Sequence, residues 1–237
     1  MLTLLGSSGA LVAQTPTLQW QRCLGGTAED DATSIIQTAD GGCAVATIAY
    51  SPDGVGCGYE GDGWLVKLLP DGSVDWSYCS GYEWIDTFSS VAQCSDGGYI
   101  LTGSLGVYPK VRVVRLSSTG TLMWEHLFGT ISGSTKGIEA QQTDDGGFIV
   151  LGDADGNDGD VSGNHGLQDA WLFKLNSSGD LVWQSCIGTS GFEYPNDLVA
   201  VADGGYLIAG TIYGADTLGC SGLATSDGWV VRVDPLG

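Results

Sequence analysis

The 237-residue chain can hold one large domain or two small ones, and its 43% apolar residues supply ample material for a core. Its 39 glycines, 15% charged residues and short runs of Val, Ile, Thr, Trp and Tyr point to an all-β protein with many tight turns. A formal charge of −20, from 28 acidic against 8 basic residues, argues against partners with phosphate backbones or anionic lipid surfaces, and no segment approaches the ~20 apolar residues of a membrane span.

Along the chain, "MLTLLGSSGALVAQ" (residues 1–14) reads as the back half of a secretory signal peptide without its basic start, which predicts a secreted or cell-surface protein. From residue 17 onward the chain is a repeat. Four "DGG" turns, at Asp40, Asp96, Asp145 and Asp203, alternate with Trp20, Trp76, Trp124 and Trp183 at a period of roughly 50–60 residues. Each unit predicts four strands. In the first they are "ATSIIQT", "CAVATIAY" after the Asp40-Gly41-Gly42 turn, "WLVKLL" after a long loop, and "VDWSYC" after Pro70-Asp71-Gly72. Asp-Gly between two β-rich runs is a hairpin signal because the tight turn wants positive φ. Four-stranded antiparallel sheets in tandem predict propeller blades.

The repeat boundaries fall at 25–80, 81–128, 129–187 and 188–237. The fourth copy ends "WVVRVDPLG" and has no tryptophan strand after its turn, whereas "TLQWQRCL" (residues 17–24) precedes the first copy and has no blade. Joined to the end, that segment restores the repeat. The expectation is therefore an all-β, four-bladed β-propeller of four-stranded antiparallel blades, closed by the N-terminal strand, which removes an exposed edge. The competing reading is an arc of a larger ring.

"LGGTAEDDATSIIQTADGGCAVA" and "NDGDVSGNHG…DAWLFKLNSSGDLVW" resemble the seven-bladed β-propeller repeats of secreted bacterial proteins. "LSSTGTLMW" more distantly resembles the turn-and-tryptophan motif of quinoprotein-like propellers. Both resemblances imply fold far more than function. The second copy departs from them, with Arg112 where the others carry Trp64, Trp171 and Trp229. No adjacent cysteine pair or cationic pocket supports a quinone cofactor.

Seven cysteines without a CxxC spacing indicate neither a zinc site nor a complete disulfide framework. Cys23, Cys79 and Cys186 each follow a repeat tryptophan by three residues, which suits a small buried side chain better than a bridge.

Strand order sorts the loops. The "DGG" turns and the third-to-fourth turns share one face and are short and alike, hence structural. The other face carries the long, dissimilar second-to-third loops and inter-blade connections, and binding is expected there. In "DADGNDGDVSGN", Asp153, Asp155, Asn157, Asp158 and Asp160 offer oxygens at alternating positions among glycines, the donor type calcium needs, although the spacing is not that of an EF-hand. The plain alternative is a polar loop satisfying its own turns.

A second set, Tyr59, Glu60, Tyr82, Glu83, Trp84, Asp86, Phe192, Glu193, Tyr194 and Tyr213, places aromatics beside carboxylates, which can stack on sugar rings and accept their hydroxyl protons. Packing between blades is the alternative for these. The innermost strands repeat Ser34/Gln37, Ser90/Gln93 and Glu139/Gln142, with Asp197/Ala200 in the last copy, and ties between neighbouring blades are the favoured reading.

Two histidines, His126 and His165, and no G-x-S-x-G elbow leave little for a serine triad. A carboxylate pair for glycoside cleavage would need only two acids, chosen from Glu29, Asp30, Asp31, Glu83, Asp86, Glu139, Glu193 and Asp197. The sequence thus predicts a monomeric, non-catalytic scaffold with an acidic loop face that binds a glycan, a protein or calcium. A carbohydrate-active enzyme is the alternative.

Overall fold

The computed structural model describes residues 17–51, 53, 57, 61–81, 86–106, 109–214 and 226–236, and it is all-β. Blade 1 holds β1 (Asp30–Gln37), β2 (Cys43–Ala49), β3 (Asp62–Leu68) and β4 (Val74–Ser80). Blade 2 holds β5 (Thr87–Gln93), β6 (Tyr99–Leu105), β7 (Lys110–Leu116) and β8 (Leu122–Phe128). Blade 3 holds β9 (Thr135–Gln142), β10 (Phe148–Ala154), β11 (Asp169–Leu175) and β12 (Leu181–Ile187). Blade 4 holds β13 (Phe192–Ala200), β14 (Tyr206–Tyr213) and β15 (Asp227–Val233). Every blade is an antiparallel meander in chain order.

The turns form for the reason the sequence gives. Gly41 sits at φ +85°, and Asp40 Oδ1 accepts from the Gly42 amide (3.0 Å) and the Thr38 hydroxyl (2.6 Å), so the Asp closes the turn that the glycine permits.

The cores lie between blades. Leu65 of blade 1 packs with Phe88, Leu101 and Val114 of blade 2. Val111 and Val113 of blade 2 pack with Phe148, Trp171 and Phe173 of blade 3, and Ile149 and Leu172 of blade 3 with Ile208 and Trp229 of blade 4. Each outer-strand tryptophan also meets the aromatic that opens the next blade's second strand: Trp76–Tyr99 at 5.4 Å, Trp124–Phe148 at 5.5 Å and Trp183–Tyr206 at 6.5 Å between ring centroids. Arg112, the departure from tryptophan, is fully buried, bonded to Glu125 (2.8 Å) and over the Phe88 ring. Glu125 stands where blade 3 has Gln184, which accepts from Trp171 Nε1 (2.8 Å), so the partner changed with the residue it serves.

Inner strands are tied as expected. The Val91 amide donates to Ser34 Oγ and the Leu198 amide to Glu139 Oε2, equivalent positions at two seams. Gln93 Oε1 and Gln142 Oε1 each accept at 2.8 Å from the preceding blade's turn amide, of Ala39 and Ser95.

Blade 4 does not close as expected. Residues 17–24 form no strand, and the described partner of β15 is β14 alone. The segment lies instead on blade 1: Trp20 Nε1 donates to Pro70 O (3.1 Å), and Leu24 caps Val45, Trp64 and Leu68. The Trp20 ring borders Gly72 as Trp76 borders Gly120, so the indole follows the packing rule of the other tryptophans without joining a sheet. Among the described residues nothing pairs with the far face of blade 4, where Val230 is 71% and Val199 51% exposed.

The cysteines also differ from expectation. Cys79 is bonded to Cys57, which ties the β2–β3 loop to β4, and Cys23 is exposed; Cys186 is buried as predicted. Cys57 reaches Cys79 because strand pairing brings the loop end beside β4, a proximity that linear spacing hides.

One electrostatic unit repeats in all four blades. The third strand carries a cation bonded to the aspartate of the "DGG" turn: Lys67–Asp40 (2.8 Å), Arg115–Asp96 (2.6 Å), Lys174–Asp145 (2.7 Å) and Arg232–Asp203. Lys67, Arg115 and Lys174 are buried, whereas Arg232, on the uncovered face, is exposed. The ammonium groups of Lys67 and Lys174 hold Asp40 and Asp145 well below the ordinary carboxylate range. Asp96 and Asp203 are lowered by the amides of Gly98 and Gly205 and by their arginines. A depressed folded-state pKa stabilises above the unfolded value near 4 and is lost as pH falls through the folded value. Asp145→Asn is expected to lower the unfolding free energy by about 1 kcal/mol at pH 7, the gap narrowing as pH falls below about 4, measured by urea unfolding.

Candidate functional site

The inner strands of blades 2, 3 and 4 converge on the axis, and at the variable-loop end they leave a pocket of about 440 Å³. Its lining is layered by register. Thr87, Lys136 and Tyr194 occupy the same register position on β5, β9 and β13, just ahead of where each strand slips against its neighbour. Two residues further on, Ser89, Ile138 and Asn196 are the extra residues where each inner strand slips register against its neighbour, between Phe88 and Ser90, Gly137 and Glu139, and Pro195 and Asp197. A bulge leaves one residue outside the ladder and re-aims its side chain, here into the axial mouth. Ser104 and Asp153, equivalent ends of β6 and β10, complete the wall.

Asp153 is the chemically unusual member. It is 5% exposed, paired in register with Lys136, and its Oδ1 has no hydrogen-bond partner. Burial raises its pKa to about 6, against the lowering effects of Gln168 and of Lys136.

The rest of the acidic stretch serves the connection from blade 2 to blade 3. Asp158 accepts from the Ile131 amide (2.7 Å) and the Ser132 hydroxyl (2.8 Å), Asp160 from the Gly129 amide (3.0 Å), and Asp155 from the Ser134 amide. Asn157 accepts from Gly163 N (2.8 Å) within its own loop. Among the described residues no three of these carboxylates bring oxygens within 4.8 Å of one another; the one such group is Cys57, Asp62 and Cys79, whose two sulfurs are bonded to each other.

Tyr59, Glu60, Tyr82, Glu83 and Trp84 lie outside the described residues. The two remaining acids of that set are anchors. Asp86 is 1% exposed and accepts from Gly106 N, and Glu193 is fully buried with its oxygens on the Thr189 amide (3.0 Å) and hydroxyl (2.6 Å). The three aromatics come together. Phe192 and Tyr194 stack at 5.9 Å with planes 6° apart, and Tyr213, opposite Phe192 in register, meets Tyr194 edge-on at 5.6 Å. All three are exposed, and Tyr194 reaches the axial pocket. Lys136, Ser89, Thr87 and Asn196 were not singled out from the sequence. The signal available there was their common distance from the "DGG" turns, at positions where the four copies differ most.

Three four-stranded meanders and one of three strands, packed face to face with the inner strands of blades 2, 3 and 4 around one pocket, define this chain as a β-propeller-like repeat protein. No protein-family model and no curated protein matches it. Among solved structures it is similar to a protein of unknown function from Bacteroides caccae, with a TM-score of 0.50 and 16% identity over 78% of this chain and 58% of that one. It is also similar to hydrazine synthase from Kuenenia stuttgartiensis, with a TM-score of 0.39 and 11% identity over 85% of this chain and 62% of that one. The chain thus spans about three fifths of either structure's length. The first likeness concerns the fold alone.

An acid whose folded pKa is raised stabilises below its unfolded value, and that contribution disappears as pH climbs through the folded one. Asp153→Asn is therefore expected to match the parent protein near pH 4 and to exceed its unfolding free energy by on the order of 2 kcal/mol at pH 8, in urea titrations at the two pH values.

Proposed function

We propose that this protein is a secreted or cell-surface, non-catalytic scaffold of the secreted bacterial repeat type, and that its axial mouth binds a neutral glycan. The observation that carries this reading is the exposed Phe192–Tyr194–Tyr213 cluster on the rim of a pocket lined by hydroxyl, amide, ammonium and carboxyl groups. Aromatic faces stack on the C–H faces of sugar rings, while Asn196, Ser89, Thr87 and Lys136 offer hydrogen bonds to ring hydroxyls. The net charge of −20 favours a neutral ligand over an acidic one. Support for an oxidising location comes from the Cys57–Cys79 bond together with the apolar start of the chain.

The hydrolase alternative needs two carboxyl groups about 5–9 Å apart with access to substrate. Glu139 and Asp197 are hydrogen-bonded to each other, and Glu139, raised by burial, is further engaged by Gln141 and the Leu198 amide. Asp86 and Glu193 are sealed in their seams. A binding role fits these environments better.

Isothermal titration of the full chain against a panel of neutral oligosaccharides is the test. At least one should bind, with affinity falling about tenfold or more in Tyr194→Ala and in Asn196→Ala, and staying unchanged in Trp20→Ala. A panel without a binder, or one whose binding ignores Tyr194, would sink the proposal.

A further inference from the structure

At the two seams on either side of blade 3, the residue opening one blade's third strand meets a residue at the start of the next blade's inner strand, across a glycine that follows the outer strand. At the seam of blades 3 and 4 these are Asp169, Glu193 and Gly188, and both carboxyl groups are fully buried. A methyl group on Gly188 would lie 2.4 Å from Glu193 Oε2 and 2.6 Å from Asp169 Oδ1, so the two oxygens border the same small space. His165 Nδ1 bonds Asp169 Oδ2 (2.7 Å) from the outside, but Asp169 Oδ1 has no hydrogen-bond partner. Two acids sharing a buried space repel each other strongly unless a positive charge joins them.

The neighbouring seam shows such a charge. Between blades 2 and 3 the same three positions hold Lys110, Thr135 and Gly129. The Lys110 chain passes beside Gly129, and its ammonium donates to Thr130 O. Where the chain supplies its own cation the acids are gone: Lys110 and Thr135 stand at the positions that Asp169 and Glu193 hold one seam further on.

From this contrast we infer that the blade 3–4 seam binds a divalent cation, with Asp169 and Glu193 as its carboxylate ligands. Oxygen-only donors select calcium over softer metals. The ion bridges β11 to β13 and so clamps blade 4 to blade 3. This site is separate from the stretch Asp153 to Asp160 and from the axial pocket.

Chelator-treated full-length protein should bind Ca²⁺ by calorimetry and Tb³⁺ by luminescence, and excess Ca²⁺ should raise the melting temperature by about 5–10 °C. Asp169→Asn should weaken binding at least 100-fold, whereas Asp158→Asn should leave it unchanged. The double variant Asp169→Lys with Glu193→Thr copies the blade 2–3 seam, and its stability should become indifferent to Ca²⁺ while one ion equivalent is lost. Absence of ion binding, or binding that survives both seam variants and disappears in Asp158→Asn, would overturn the inference. So would stability that rises on acidification with no response to Ca²⁺, because the two acids would then share a proton.

Discussion

A propeller blade has two apolar faces, and neither is satisfied until another blade lies on it. β3 and β11 are buried along their whole length and β7 at all but its first residue, since side chains of both parities point into a seam. The packing, the turns and the site all answer to this constraint. It sets the tandem repeat, because an isolated four-stranded sheet would leave half of its apolar side chains in water. It also bears on the first and last blades: the near face of blade 1 takes Leu24 and Trp20 from outside any sheet, and the far face of blade 4 leaves Val230 and Arg232 exposed.

Seams buried this thoroughly make polar groups expensive, and the chain answers with one local solution repeated. A cation on the third strand needs an acceptor that does not cross the seam, and the aspartate of the "DGG" turn provides it while also closing that turn. The same residue therefore fixes backbone geometry and neutralises a buried charge. Lys67 and Lys174 also donate to Leu68 O and the Thr143 hydroxyl, so their ammonium groups are satisfied by several acceptors at once. Arg112 with Glu125 shows the rule operating on a departure from the repeat: a charge replaced an indole, and its acceptor appeared at the position where blade 3 keeps glutamine.

What could be read from the sequence divides along the distance over which each feature acts. Turn residues and strand alternation act within a few residues, so the four strands per copy and the sorting of loops onto two faces were legible. The ties of Gln93 and Gln142 were legible too, because they recur at a fixed offset. The cation–aspartate pair was written in the sequence as Lys or Arg three residues after Trp64, Arg112, Trp171 and Trp229, but its partner lies 19 to 29 residues away and only strand order joins them. The Cys57–Cys79 bond was hidden for the same reason. Asp153 and Asp158, neighbours in an apparently uniform acidic run, separate because one ends a strand facing a seam and the other leaves it to cap the connection at Ile131.

The axial mouth was the least legible part, and the reason bears on how such a fold acquires a ligand. Positions that close turns or fill seams are alike in all copies, since each blade faces the same physical demand. The layer formed by Asp31, Thr87, Lys136 and Tyr194 occupies one register position, yet offers an acid, a hydroxyl, a base and an aromatic ring. Packing places no common requirement on that layer, because it borders a pocket rather than a seam and the bulges already interrupt the ladder. Freed from the repeat, those residues can be chosen for an outside partner without disturbing the seams that hold them in place. A ligand reading that position meets three blades at once, and its contacts therefore depend on the seams between them as much as on the side chains themselves.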